Sequence, residues 1–373
     1  MWKVYFIRFL LRLFYVFPVK RNKIFFSSFE GQTISCNPKY IYKMLRSRYG
    51  DTLQYVWECN TDRKCNEKTV KHNSFSYIYH IMTAHIIVTN TGISAVFPLR
   101  KKQKCINTWH GSGAYKKVGM DIDERVNGTG EKRMLLSAQS TDFFISGCEK
   151  FTQVMSRALC MPKDIFLPIG MPRNDCLVAA TNDENVFAIK EQLGIAPNQK
   201  VVLYAPTFRG KTDDPDKNDL KLNTDRIIRA LSKRFDGEWL FAYRCHYLTD
   251  AVIGNQNKCI DVSDYDDMQE LLMLADVLIS DYSSAIWDYS LTKKPCLLYC
   301  YDLTKYKSER DFYTPIEEWG FPIACTEEEL INAIETFELS KYELSVRKHH
   351  TDLGSFENGK ATEKICEVIE RFL

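Results

Sequence analysis

The chain has 373 residues, 45% of them hydrophobic and 26% charged, with a net charge of +2. That is enough for two domains with substantial cores, and too little positive charge for a nucleic-acid binder driven by bulk electrostatics. Residues 1–48 hold ten Lys/Arg against one acid, Glu30, so this stretch carries +9 and the remainder −7. Thirteen cysteines at scattered spacings, with no C-x-x-C pair, read as free thiols of a reducing compartment. His72, His80 and His85 have no partners at zinc-site spacing, so no structural metal is expected.

Residues 1–17, MWKVYFIRFLLRLFYVF, are apolar and aromatic, with Arg8 and Arg12 four apart on one helix face. The stretch is shorter than the ~20 residues of a spanning helix, and no small-residue cleavage site follows it. It suits the plane of an anionic membrane surface; a helix packed on its own domain is the alternative. Strands are predicted at Lys23–Ser28, Leu53–Trp57, Ile86–Thr89, Cys105–Trp109 and Phe143–Ser146. Helices are predicted from near Pro38, over Asn73–Thr83 and over Glu149–Leu159. This alternation at roughly 30-residue intervals reads as one α/β sheet.

Near residue 170 the run Pro168-Ile169-Gly170-Met171-Pro172-Arg173-Asn174-Asp175 is turn-rich and marks a domain boundary. The second half restarts with strand Val201–Ala205 and a loop, Lys211–Lys221, read as mobile surface. Helix Thr224–Phe235 and strands Trp239–Arg244 and Cys259–Val262 follow. Asp266–Ala275 (helix), Val277–Ser280 (strand), the turn Asp281-Tyr282-Ser283-Ser284, Ala285–Leu291 (helix) and Cys296–Tyr301 (strand) repeat the unit of a parallel α/β sheet. Helix Glu327–Phe337 and a closing amphipathic helix from about Glu357 complete the chain. The fold class is therefore α/β, two Rossmann-like domains facing a cleft.

The candidate chemistry lies at strand ends. His110 follows a strand and precedes Gly111-Ser112-Gly113, a loop that lets a ligand approach closely. On position alone, a general base and a histidine satisfied by backbone are both open. In the second half, Thr207, Arg209, Arg244, His246 and Arg310 each lie just past a strand or in a loop. With Ser283 and Ser284 at a helix start, the arginines and His246 are the right groups for a pyrophosphate. No P-loop sequence is present, and no G-x-G-x-x-G follows the first strand. Asp281 and Asp288 lack the acidic partner of a protein-held magnesium site.

The runs NTWHGSGAYKKVGMD (Asn107–Asp121), YAPTFRG (Tyr204–Gly210), RCHY (Arg244–Tyr247), ISDYSSAIWDYSLTKKPCLLYCYDLTKY (Ile279–Tyr306) and RDFY (Arg310–Tyr313) resemble the CDP-glycerol glycerophosphotransferase family of teichoic acid synthesis. So do FSSFEGQTISCNPKYIY (Phe26–Tyr42), GMPRND (Gly170–Asp175) and SFENGKA (Ser355–Ala361). The resemblance implies a glycosyltransferase-B-type fold. A membrane-associating segment would cover 1–22, an acceptor and base domain 23–172, a CDP-alcohol-binding domain 187–354 and a closing helix 355–373.

It further implies a peripheral enzyme at the cytoplasmic face of the membrane. The reaction would move glycerol phosphate from CDP-glycerol to a hydroxyl of a lipid-linked saccharide or teichoic-type polymer, releasing CMP. By the same resemblance, His110 is the base and His246 a second catalytic residue. His246, Ser283, Ser284 and Arg310 hold the diphosphate, and Thr207, Arg209, Arg244, Asp281 and Gly111 complete the substrate site. No metal site, no cofactor and no nucleic acid are implied, with magnesium left open. Gly113-Ala114 stands where Thr-Pro-Leu often follows WHG, and Cys245-His246-Tyr247 where His-Pro is common. The chain length resembles single-transfer members of the family. The competing readings are a CDP-ribitol enzyme, a nucleotide-sugar glycosyltransferase of the same fold, and an inactive scaffold that binds glycan or lipid.

Overall fold

The computed structural model describes residues 1–60, 67–122, 128–179, 183–207, 210–211, 214–215, 222–244, 258–309 and 311–373. The chain divides into two units, Met1–Asp175 with Leu353–Leu373, and Cys176–Asp352.

The first unit is built on seven strands: β1 (Lys20–Ser27), β2 (Gln54–Glu58), β3 (Lys68–Val70), β4 (Ala84–Thr89), β5 (Lys104–Asn107), β6 (Phe143–Ser146) and β7 (Phe166–Pro168). They pair in the order β3-β2-β1-β4-β5-β6-β7, every pair parallel. The cause is visible in β1 and β4. Ile24, Phe25 and Phe26 pair in register with Ile86, Ile87 and Val88, and all six are fully buried. Strands covered on both faces read as continuous apolar runs, the mark of a parallel sheet under helices. The second unit has β8 (Lys200–Tyr204), a two-residue ribbon β9 (Gly210–Lys211) with β10 (Asp214–Pro215), β11 (Trp239–Tyr243), β12 (Cys259–Asp261), β13 (Val277–Ser280), β14 (Cys296–Tyr299) and β15 (Ile323–Ala324). Its main sheet runs β12-β11-β8-β13-β14-β15, again parallel.

Helices Thr224–Phe235 and Glu327–Glu335 cover one face of that sheet, burying Ile227, Leu231, Leu330 and Ile334 against Val202, Phe241, Ile279 and Leu297. Both open on a side-chain cap. Asn223 accepts from the Arg226 N–H and Thr326 from the Glu329 N–H, each cap contributing about 1 kcal/mol. Trp57, Trp239, Trp287 and Trp319 are fully buried; truncating any one to alanine would cost about 3–5 kcal/mol.

Several elements are absent from the sequence expectation: β3, β7, β15 and the helices Gly128–Ala138 and Leu339–Asp352. Most of the Lys211–Lys221 loop lies outside the described residues. The amino-terminal segment forms a helix, Trp2–Leu11, and a 3-10 turn, Arg12–Val16. Its arginines part company there. The Arg8 guanidinium turns inward and donates to the carbonyls of Ala95 (2.5 Å) and Phe97 (3.2 Å), whereas Arg12 is exposed. Trp2, Tyr5, Phe6, Phe9, Leu13 and Val16 are left facing outward. No helix of the described residues is long and apolar enough to cross a membrane.

Candidate active site

In a doubly wound sheet the ligand crevice opens where strand order reverses, beyond the carboxyl ends of the strands. In the first unit that point lies between β1 and β4. The loop after β1 places Phe29 there, and the loop after β4 places Asn90. The Phe29 N–H donates to Asn90 Oδ1 at 2.8 Å. His110, carried in from the end of β5, completes the group. Its Nδ1 lies 2.9 Å from the Asn90 carbonyl oxygen, its ring stacks on Trp109 (4.8 Å between centroids), and Phe29 meets it edge-on.

A carbonyl oxygen only accepts, so Nδ1 carries the ring proton and Nε2 holds the lone pair. Burial lowers the affinity of the imidazole for a second proton. The bond to Asn90 opposes this, and the charges of Arg173 and Lys116 add to it, leaving the pKa below the ordinary histidine value. The ring is therefore neutral at pH 7, and Nε2 bonds to none of the described residues. The backbone bond expected of a merely satisfied histidine is present, but it occupies only one nitrogen and fixes the tautomer that a base needs. Asn90 Nδ2 is buried and has no partner among the described residues, a donor of the kind that collects at functional sites.

The backbone here is strained. Phe29, Glu30, Trp109 and Ala114 all have φ between 48° and 54°, a region that bulky L-residues avoid at a cost on the order of 1–3 kcal/mol each. Gly113 has no room for a side chain, since a Cβ would lie 2.4 Å from the Tyr115 ring. Gly111 precedes Ser112, whose hydroxyl donates to Glu357 Oε1 at 3.1 Å.

Glu357, from the segment returning to this unit, also accepts from Asn174 Nδ2 (Oε1, 3.0 Å) and from the Met171 N–H (Oε2, 3.0 Å). One carboxylate therefore joins the loops that follow β5 and β7. A Cβ at Gly147, just past β6, would come within 2.3 Å of Ser112 Oγ and 3.0 Å of Glu357 Oε1. Sequence reasoning assigned Glu357 no chemistry; its one available signal was an acid within the quoted SFENGKA run.

In the second unit the strand order reverses between β8 and β13, and the Asp281–Ser284 turn stands there. Asp281 is buried and its Oδ1 accepts from the Thr207 N–H (2.8 Å), the Thr207 hydroxyl (2.6 Å) and the Tyr282 N–H (2.6 Å). Thr207 and Asp281 thus tie the loops after β8 and β13 together across the switch point. Ser283 and Ser284 are part-exposed and open helix Ala285–Ser290. Ser283 Oγ accepts from the Ala285 N–H at 3.2 Å, whereas Ser284 makes no side-chain cap bond.

Of the two serines at this helix start, only Ser283 makes a side-chain bond to the opening turn. Beneath them Tyr282 stacks on Tyr306 (3.9 Å) and packs against Phe312 of the RDFY run; its hydroxyl donates to Asp302 at 3.0 Å. Arg244 follows β11, its N–H bonded to the Tyr204 carbonyl at 2.8 Å. Arg209, His246 and Arg310 lie outside the described residues. Among the described residues, no group of three or more His, Cys, Asp or Glu is placed to hold a metal ion.

Two parallel-sheet, Rossmann-like units agree with the fold of known proteins. The family model for CDP-glycerol:poly(glycerophosphate) glycerophosphotransferase matches residues 9–371. The chain belongs to this family.

The chain is 30% identical to the teichoic acid glycerol-phosphate transferase of Staphylococcus aureus (strain NCTC 8325), over 94% of the chain and 93% of that protein. It is 31% identical to the teichoic acid poly(glycerol phosphate) polymerase of Bacillus subtilis (strain 168), over 94% of the chain but 49% of that protein. It thus spans about half the length of that polymerase. The structure of a CDPG-soaked variant of the wall teichoic acid polymerase TagF superposes with a TM-score of 0.86 at 29% identity, covering 98% of this chain and 92% of that one. The two-unit architecture of this family member is thus the glycosyltransferase-B type expected from its sequence.

Proposed function

We propose that the protein transfers glycerol phosphate from CDP-glycerol to a hydroxyl of a lipid-linked saccharide or teichoic-type polymer, releasing CMP. The observation that carries the reading is His110 at the first switch point, a neutral imidazole with its tautomer fixed and Nε2 open. The acceptor oxygen forms a bond to the glycerol-bearing phosphorus and gives its proton to Nε2. The bond from that phosphorus to the bridging oxygen breaks, and CMP leaves with the electron pair. Positioning and charge stabilisation carry most of such a displacement. Ser283 and Ser284, with Arg209, Arg244, His246 and Arg310, are the residues we assign to the diphosphate, while Thr207 and Asp281 shape the loops that present it. No resident cofactor is required by this scheme.

The deciding experiment incubates the protein with CDP-glycerol, CDP-ribitol or UDP-sugars plus membrane lipid extract, with and without EDTA, and measures nucleotide release. CMP is expected from CDP-glycerol, and loss of CMP with EDTA would add a metal. CMP from CDP-ribitol alone would change the polyol. UDP release in place of CMP would make the enzyme a glycosyltransferase, and no release from any donor would favour a binding scaffold.

The same reading places the protein at the cytoplasmic face of a membrane. The outward row Trp2, Phe6, Phe9 and Leu13, with exposed Lys3 and Arg12 nearby, supports it. Aromatics at an interface and cations toward anionic headgroups are complementary. Replacing Trp2, Phe6 and Phe9 by serine is expected to weaken sedimentation with anionic phospholipid vesicles by ~10-fold or more; equal sedimentation would refute the attachment.

A further inference from the structure

We infer that Asn37 and Arg173 form a clamp that positions His110 for the transfer; the inference rests on the reading of His110 as the base. Three consecutive carbonyls of the loop that bears it are each held by one of these two side chains. Asn37 Nδ2 donates to Thr108 O at 3.1 Å and Trp109 O at 3.0 Å, and Arg173 Nη1 donates to His110 O at 2.9 Å. The clamp is closed on itself, since Asn37 Oδ1 accepts from the Arg173 N–H at 3.0 Å. Arg173 Nη1 also reaches Cys36 Sγ at 3.2 Å.

The middle residue of the held triplet, Trp109, is the one with φ at 52°. A bulky residue stays in that region only where its surroundings over-determine it. Asn37 is fully buried and Arg173 is 5% exposed, so neither is offered to solvent or to a freely entering substrate. Burying an amide and a guanidinium is costly unless both are bonded, and an apolar pair would fill the volume at less cost. What the polar pair adds is a fixed path for residues 108–110, and with it the direction of Nε2. The Arg173 charge also acts on the imidazole from behind, disfavouring its protonation. Asn37 belongs to the SCNPKY run and Arg173 to the GMPRND run, two motifs without a chemical role in the scheme above.

The test uses the full chain in the CMP-release assay. Asn37→Leu and Arg173→Met are expected to lower kcat by ~10–10²-fold, the scale of a misplacement near 1 Å, with KM for CDP-glycerol within about threefold. The acid limb of kcat should move to higher pH in Arg173→Met and stay in place in Arg173→Lys, which keeps the charge. Arg173→Lys should also recover part of kcat. Equal changes in kcat and KM, or wild-type kcat in both variants, would overturn the clamp. If either variant melts below the assay temperature, Asn37→Ser and Arg173→Lys decide: a drop of ~3–10-fold in kcat supports the clamp, and none refutes it. A fully active His110→Ala enzyme would instead remove the base reading, leaving the clamp nothing to position.

Discussion

His110→Ala is expected to lower kcat by ~10²–10⁴-fold, with CDP-glycerol binding, measured by calorimetry, changed by less than about threefold. The imidazole has one nitrogen committed to the Asn90 carbonyl and the other unbonded among the described residues, so on the proposed mechanism its loss removes the proton acceptor and no charge that the donor needs. A parallel loss of donor binding would mean that His110 holds the diphosphate. The pH profile carries a second check. The base works when neutral, so kcat falls as pH drops through the histidine pKa. Burial, with Arg173 and Lys116, depresses that value, so the acid limb should lie below the ~6.5 of an ordinary histidine. A limb at 7 or above would contradict the environment described.

Glu357→Ala should destabilise the first unit by about 3 kcal/mol or more. It removes the acceptor of the Ser112 hydroxyl, the Asn174 amide and the Met171 N–H, each within a buried residue, and each such bond lost inside the protein costs about 1–3 kcal/mol. For a unit of this size that is a fall in melting temperature on the order of 6–12 °C. Because Ser112 follows His110 by two residues, kcat should fall together with the melting temperature. Glu357→Gln keeps the volume but offers one oxygen where the carboxylate offers two, and should lie between wild type and alanine. Unchanged melting and turnover in Glu357→Ala would show that the two loops hold without it.

The fold was legible where local signals were strong. Val277–Ser280 and Phe143–Ser146 are short apolar runs between turns, and Thr224–Phe235 pairs an amphipathic period with an asparagine cap. The elements of the structure that the sequence did not announce are those whose partners, and not whose residues, make them. β3 is three residues with Lys68 and Thr69 exposed, and β15 is two. Helix Leu339–Asp352 buries few apolar side chains and leaves Leu344 66% exposed.

The candidate site divides in the same way. His110, Ser283 and Ser284 follow strands, and strand ends can be read from hydropathy. Asn37 acts on a residue 71 positions away, Arg173 on one 63 away and Glu357 on one 245 away. No local period encodes such meetings. The N-terminal helix shows the limit of a periodic reading: residues four apart do share a side, but Arg8 finds carbonyls on the chain beneath it and Arg12 does not.

The first unit is assembled from two stretches of chain separated by the whole of the second. On the ribosome, residues 176–352 emerge as one contiguous piece and can fold as they appear, since domains fold as units. The first unit cannot finish in that order. When residue 175 has been made, Ser112, Asn174 and Met171 still wait for Glu357, and β6 waits for the segment whose Gly354 carbonyl receives the Glu149 N–H. The histidine loop therefore gains its carboxylate only after the whole second unit has been made. A chain released just short of residue 357 therefore contains the whole second unit but a His110 loop without the carboxylate that ties Ser112 to Asn174 and Met171.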